Sequence, residues 1–239
     1  AMAAGAAAGY ITAFLQTKMR IPSILAGIIT NTGLYTVNLA VMGFSSNVSL
    51  LKADTVFTAL KPLLGTYYRL VPAAVLALLA AALLVLFLRT RLGLSIRATG
   101  DNPDMVRASS INTAFTVTVG LCIANALTAL SGAILAQYQK TADINLGTGM
   151  VIIGLASLII GETLTRKGSV GLKAFGAVLG SILYRFIIAL ALRLDLPSEC
   201  LKLISAVIVA LAIAAPALKA KADFRRRRAN AQKGGARHA

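Results

Sequence analysis

Residues 70–88 read LVPAAVLALLAAALLVLFL, a run in which no residue carries a charge or a hydrogen-bonding side chain. About 20 such residues cross the hydrocarbon core of a bilayer as one α-helix, and a strand or a soluble core helix needs fewer. Outward from this run lie six more apolar segments, at 1–15, 24–42, 116–138, 150–164, 174–192 and 201–218. The composition agrees: 57% of the 239 residues are hydrophobic, 13% are charged and the mean hydropathy is +0.79. A soluble domain carries about 25% charged residues. The expected fold is therefore all-α, a polytopic membrane helical bundle of about seven transmembrane or re-entrant segments. Segments 1–15 and 150–164 are short for a full crossing, and for the second a broken or re-entrant helix is one reading.

The chain is also strongly basic, with 24 Lys and Arg against 8 Asp and Glu and a net charge of +16. On a polar surface that excess suggests nucleic acid; in a membrane protein it marks the cytoplasmic loops. Its distribution decides. Seventeen of the 24 lie in the links after segments one, three and five and in the tail, which alone holds eight, including Arg225-Arg-Arg-Arg228. The alternate links hold six, and Arg185 sits inside a segment. Strict alternation puts the rich links and the C-terminus in the cytoplasm of a bacterial inner membrane. Residues 1–218 read as a transmembrane domain with an internal loop at 89–115, and residues 219–239 as a disordered basic tail. Anionic lipid is the first partner expected of that tail, an ATPase the second and nucleic acid the last.

Several chemistries lack their residues. Cys122 and Cys200 are isolated, and the single histidine is His238, so no metal cluster or His-based triad is expected. No GxxxxGK[ST] phosphate loop occurs, so energy for work would come from a partner. The chain is read as not an enzyme, with no cofactor of its own.

The internal loop carries helix punctuation. Asp101 or Asn102 can cap, Pro103 suits a first turn and Asp104 lies where the helix dipole favours an anion, so a short helix over 103–109 is expected, with a plain solvated loop as the alternative. Within the apolar segments, Asn31, Tyr35 and Asn38 share one helical face, as do Asn125, Thr128 and Ser131. These stripes either line a polar path or hold helices together. Gly5-Ala-Ala-Ala-Gly9 and Gly176-Ala-Val-Leu-Gly180 have the spacing of close helix seams, which chance also produces in a chain this rich in Gly and Ala. A central charge in a span costs at least about 2.5 kcal/mol, so Arg185 needs a partner. Glu162 is expected to supply it; snorkelling, carbonyl contacts or a dimer interface are the other ways of tolerating the charge. The link 43–69 has room for a short interfacial helix.

The run Arg97-Ala-Thr-Gly100-Asp101-Asn102-Pro103, with Ala108 and Ile111-Asn112 after it, resembles the cytoplasmic coupling loop of ABC-importer permeases in the branched-chain amino acid, ribose and nucleoside superfamily. The stretches at 31–38 and 154–162, Tyr184-Arg185 and Leu201-Lys-Leu-Ile-Ser-Ala are similar to the tryptophan/tyrosine uptake subgroup, and the resemblance spans about residues 5–216. It implies a type II importer fold and a coupling role for Arg97, Gly100, Asp101, Asn102, Pro103, Ala108, Ile111 and Asn112. It also implies partners: an ABC ATPase that binds ATP-Mg, an extracytoplasmic substrate-binding protein and a second permease copy. The solute would be an amino acid, aromatic by subgroup. Ser109-Ser110 departs from the pattern, in which a larger apolar residue and Gly precede Ile-Asn. Further transmembrane sequence precedes the matching region in the family, so the N-terminal part of the permease is expected to be missing. An ion-coupled secondary transporter is the alternative, for which Glu162 is the one carboxylate placed deep enough.

Overall fold

Leu70–Arg89 forms one helix, α5, because leucine and alanine favour helix and Pro72 sits in the first turn, where no amide partner is lost. In the computed structural model, which describes residues 1–51, 53–147, 150–165, 169–193 and 207, the chain forms two compact units, 1–146 and 147 onward. Among the described residues four helices are long and apolar enough to span a bilayer: Ser23–Val41, Leu70–Arg89, Thr113–Gln139 and Val170–Leu190. The segment at 201–218, Val207 aside, and the tail at 219–239 lie outside the described residues.

In the first unit α1 (Met2–Thr17) packs on both α2 (Ser23–Val41) and α8 (Thr113–Gln139). The α1–α8 contact is backbone on backbone. A Cβ added to Gly5 would lie 2.5 Å from both Ala129 Cβ and Asn125 O, and one on Gly9 would lie 2.5 Å from Leu121 O. The first glycine pair is therefore a true seam. Toward α2, Thr12 Oγ1 donates to Thr30 Oγ1 at 3.0 Å beside the buried Ala13 and Ala26.

The α1–α8 seam runs antiparallel, since Gly5 meets Asn125 and Gly9 meets Leu121. It brings the end of α1, with Lys18 and Arg20, level with the start of α8. At the opposite end of α8, β1 (Asn47–Ser49) pairs antiparallel with β2 (Thr141–Asp143), Val48 opposite Ala142. The links that follow α2 and α8 thus share one end of the unit, as alternation requires. The link 43–69 folds into more than one short element: α3 (Val56–Ala59), α4 (Lys61–Leu64) and a 3-10 turn at Gly65–Tyr67. Thr55 and Thr58 form a reciprocal cap on α3, Val56 N donates to Gln137 Oε1 at 3.1 Å, and the Phe57 ring meets Tyr138 edge-on at 5.9 Å.

The second unit pairs α9 (Met150–Leu164) with α10 (Val170–Arg193). Gly161, Gly176 and Gly180 remove the side chains between them: a Cβ on Gly176 would lie 2.5 Å from Thr165 Oγ1, and one on Gly180 would strike the Ser157 carbonyl. The α9 helix has the predicted limits; its 15 residues rise about 22 Å, less than the hydrocarbon core of about 30 Å.

Candidate coupling element and polar path residues

The region read as a loop at 89–115 is almost wholly helical. Thr90 takes an extended conformation that ends α5, and its Oγ1 accepts from Gly93 N at 3.2 Å, capping a new helix, α6 (Arg91–Asp101). This helix escaped the sequence reading because it is neither apolar enough to span nor marked by a strong breaker before it. The available signal was Thr90 itself, a good cap following an apolar run. Asn102 then breaks α6, and its Oδ1 accepts from Asp104 N at 3.2 Å and Met105 N at 3.1 Å. Pro103 opens α7 (Pro103–Ala108), close to the expected limits. Asn102 is the cap, and Asp101 is the last residue of α6.

Ser109-Ser110 closes α7 without glycine. Ser110 adopts φ +60°, Ser110 N donates to Arg107 O at 3.1 Å and Ile111 N to Val106 O at 3.3 Å. That is the Schellman arrangement, with serine where glycine carries the least strain. Asn112, expected in a coupling role, also caps α8: its Oδ1 accepts from Phe115 N at 3.2 Å.

Two buried anchors seat this helical pair, the first of them on the base of α8. Thr99 and Thr116 share a buried hydrogen bond of 2.9 Å, and Val106 is only 1% exposed. Neither anchor was singled out in the sequence. The rest of the element faces outward: Arg97, Gly100, Asp101, Asn102, Pro103 and Ala108 are exposed, and Met105 and Ile111 add apolar surface. Asp104 and Arg107 form an exposed pair at 3.4 Å, worth less than about 1 kcal/mol. Gly100 borders an open recess of about 300 Å³ lined by Ile96, Thr99, Thr116 and Gly120, and among the described residues nothing lies within 4 Å of where its Cβ would stand.

The two polar stripes differ. Asn31, Tyr35 and Asn38 are exposed on α2, and among the described residues none of their side chains has a hydrogen-bond partner. On α8 two of the three groups are satisfied locally, with Asn125 Nδ2 donating to Leu121 O and Thr128 Oγ1 to Ala124 O, both at 2.9 Å, while the Ser131 hydroxyl has no partner among the described residues. Asn125 lies under Gly5 of α1, and Ser131 faces a groove toward α5.

The expected Glu162–Arg185 pair is not formed within the chain. Both side chains are exposed, and the one ion pair among the described residues is Asp104–Arg107. The register explains this. Gly161 meets Gly176 and Ser157 meets Gly180, so Arg185 stands level with position 152, about 15 Å along the axis from Glu162. Replacing Glu162 and Arg185 with glutamine, singly and together, is expected to shift thermal stability additively. A double-mutant coupling above about 1 kcal/mol would restore the pair.

Long apolar helices and close glycine seams define a polytopic helical membrane protein. Residues 1–216 match the family described as branched-chain amino acid transport system, permease component, and the chain belongs to that family. It is 36% identical over 209 residues to the tyrosine transport system permease protein of Clostridioides difficile (strain R20291), covering 87% of this chain and 68% of that one. An uncharacterised protein of Rickettsia prowazekii (strain Madrid E) is 30% identical, with 89% of this chain and 76% of that one covered. The xylose transport system permease protein XylH of Haemophilus influenzae is 29% identical over 61% of this chain and 39% of its own length. No solved structure matches the chain.

Proposed function

We propose that this permease is the membrane subunit of an ATP-driven ABC importer, that it moves an amino acid with an aromatic side chain, and that α6 and α7 receive the ATPase stroke. The observation that carries the coupling assignment is Gly100: an exposed glycine inside a helix costs about 1 kcal/mol relative to alanine, and among the described residues no neighbour needs the space. Close approach of another subunit is the physical reason to keep it. The exposed Met105 and Ile111 beside it supply apolar surface for that subunit. Family membership and the likeness to a tyrosine transport permease support the solute class.

On this reading α6 and α7 lie in the cytoplasm with the C-terminus, the β1–β2 end faces the binding protein, and two permease copies enclose the path. The α2 stripe of Asn31, Tyr35 and Asn38 is the better candidate for its lining, because its polar groups are exposed and unengaged by the described residues. The chain itself binds no cofactor; ATP-Mg belongs to the ATPase. Chemistry stops at that boundary.

The test is Gly100→Phe in the reconstituted transporter. The open space at Gly100 lets the permease fold with unchanged thermal stability, while ATPase association and ATP-dependent uptake of labelled tyrosine fall at least about tenfold, a loss of about 1.4 kcal/mol in docking. Uptake that continues without ATP and collapses with the proton gradient would overturn the reading.

A further inference from the structure

We propose that the strip between α5 and α8 is a site for one anionic phospholipid, its phosphate held by Arg69 and Lys61 and one acyl chain lying in the groove beneath. Arg69 immediately precedes the apolar run of α5, and Tyr138 lies in the last turn of α8, so both stand at the boundary between hydrocarbon and water. The Arg69 guanidinium is 5.3 Å from the Tyr68 ring centre and 5.8 Å from that of Tyr138, which bridges the tops of the two helices. Lys61 Nζ lies 5.9 Å from the Tyr68 ring. Both cations thus stand against the Tyr68 ring.

Among the described residues no carboxylate pairs with either cation, since the one ion pair lies at the far end of the unit. Arg69 is also the N-cap of α5, where the helix dipole disfavours a cation and favours an anion beside it. The patch is therefore incomplete without negative charge. Directly below it, the same two helices leave an open groove of about 280 Å³, walled by Leu76, Ala77, Ala80 and Leu84 of α5 and by Leu127 and Ile134 of α8. Alanines on α5 make the depression. The groove runs from about 10 to about 22 Å below Arg69, so in a leaflet about 15 Å thick it receives the lower part of an acyl chain whose phosphate lies at Arg69 and continues past the chain's end. A soluble acidic partner would satisfy the cations and leave the groove empty; a phospholipid satisfies both.

The sequence contains no tryptophan, so a single introduced one reports its own surroundings. The permease with Leu76→Trp, in the groove, is reconstituted into vesicles carrying either phosphatidylglycerol or phosphatidylcholine with brominated chains. Leu79→Trp, on an exposed face of the same helix, is the control. Brominated phosphatidylglycerol is expected to quench the groove tryptophan at a roughly three- to tenfold lower mole fraction than phosphatidylcholine, as two partly screened cations allow. The control shows no preference. High salt, or Arg69→Gln with Lys61→Gln, abolishes the preference, and Arg69→Lys keeps it. Equal quenching by the two lipids would reduce the strip to ordinary lipid contact, the absence of quenching by either would mean that protein covers the groove, and a preference that survives the double glutamine variant would remove the cations from the site; each result overturns the proposal.

Discussion

Gly9→Leu is expected to abolish stable assembly of the permease, with thermal unfolding in detergent beginning at least about 10 °C earlier than in the parent. The cause is geometric. Even an alanine Cβ at this position would stand 2.5 Å from Leu121 O and 2.8 Å from Cys122 Cα, and both obstructions are backbone that no rotamer change can move. Relief requires α1 and α8 to part along a seam that includes Gly5, at a cost of about 3 kcal/mol or more. Gly33→Leu is the matched control, because among the described residues nothing lies within 4 Å of its Cβ position, and it should unfold with the parent. If Gly9→Leu unfolded with the parent too, the backbone seam would not be what holds α1 to α8.

Val106→Asp should give the opposite pattern: a folded, membrane-inserted permease that no longer converts ATP hydrolysis into uptake. Val106 is the largest side chain among the described residues that is essentially fully buried, and it seats a helix of only six residues. An aspartate there would bury a charge without a partner, so α7 lifts from its seat rather than accept a cost of several kcal/mol. Uptake should fall at least about a hundredfold, corresponding to 2.7 kcal/mol of lost coupling. Thermal stability of the remaining helices should change little, since α7 makes few other contacts. Val106→Ile, which keeps the apolar anchor, should retain most uptake. Equal uptake by the aspartate variant and the parent would show that the seating of α7 is immaterial.

What the sequence made legible was whatever depends on a long run of like residues. The spans at α2, α5 and α8 follow from composition, and the limits of α9 were read as they stand. The GxxxG pairs were visible as spacing, yet only geometry could distinguish a seam from chance, because alanine and glycine are common throughout. Asn102 and Pro103 announced α7 because a cap and a helix-starting proline are local signals. The α6 helix was missed because its stability comes from Thr90 and from docking of Thr99 on Thr116, a contact across 17 positions that no local pattern reveals. The Glu162–Arg185 pairing was wrong for the same reason. Scarcity of charge suggested partners, whereas the glycine register of α9 and α10 set their separation. On α2 and α8 the polar stripes each share one helical face and differ in surroundings, since Asn125 lies beneath α1 and Asn31 does not.

The seam of Gly5 and Gly9 also has a mechanical meaning. Helices separated by leucine or methionine can slide, because flexible side chains between them re-pack as the backbones shift. Here main chain lies against main chain, and an axial slip of even one residue would drive a carbonyl into a Cα. The buried Thr99–Thr116 bond fastens α6 to the same α8, and α7, with its buried Val106, packs on both. A push on α7 would therefore reach α8 through these two side-chain attachments, and from α8 it would pass to α1 with no side-chain layer between the two backbones.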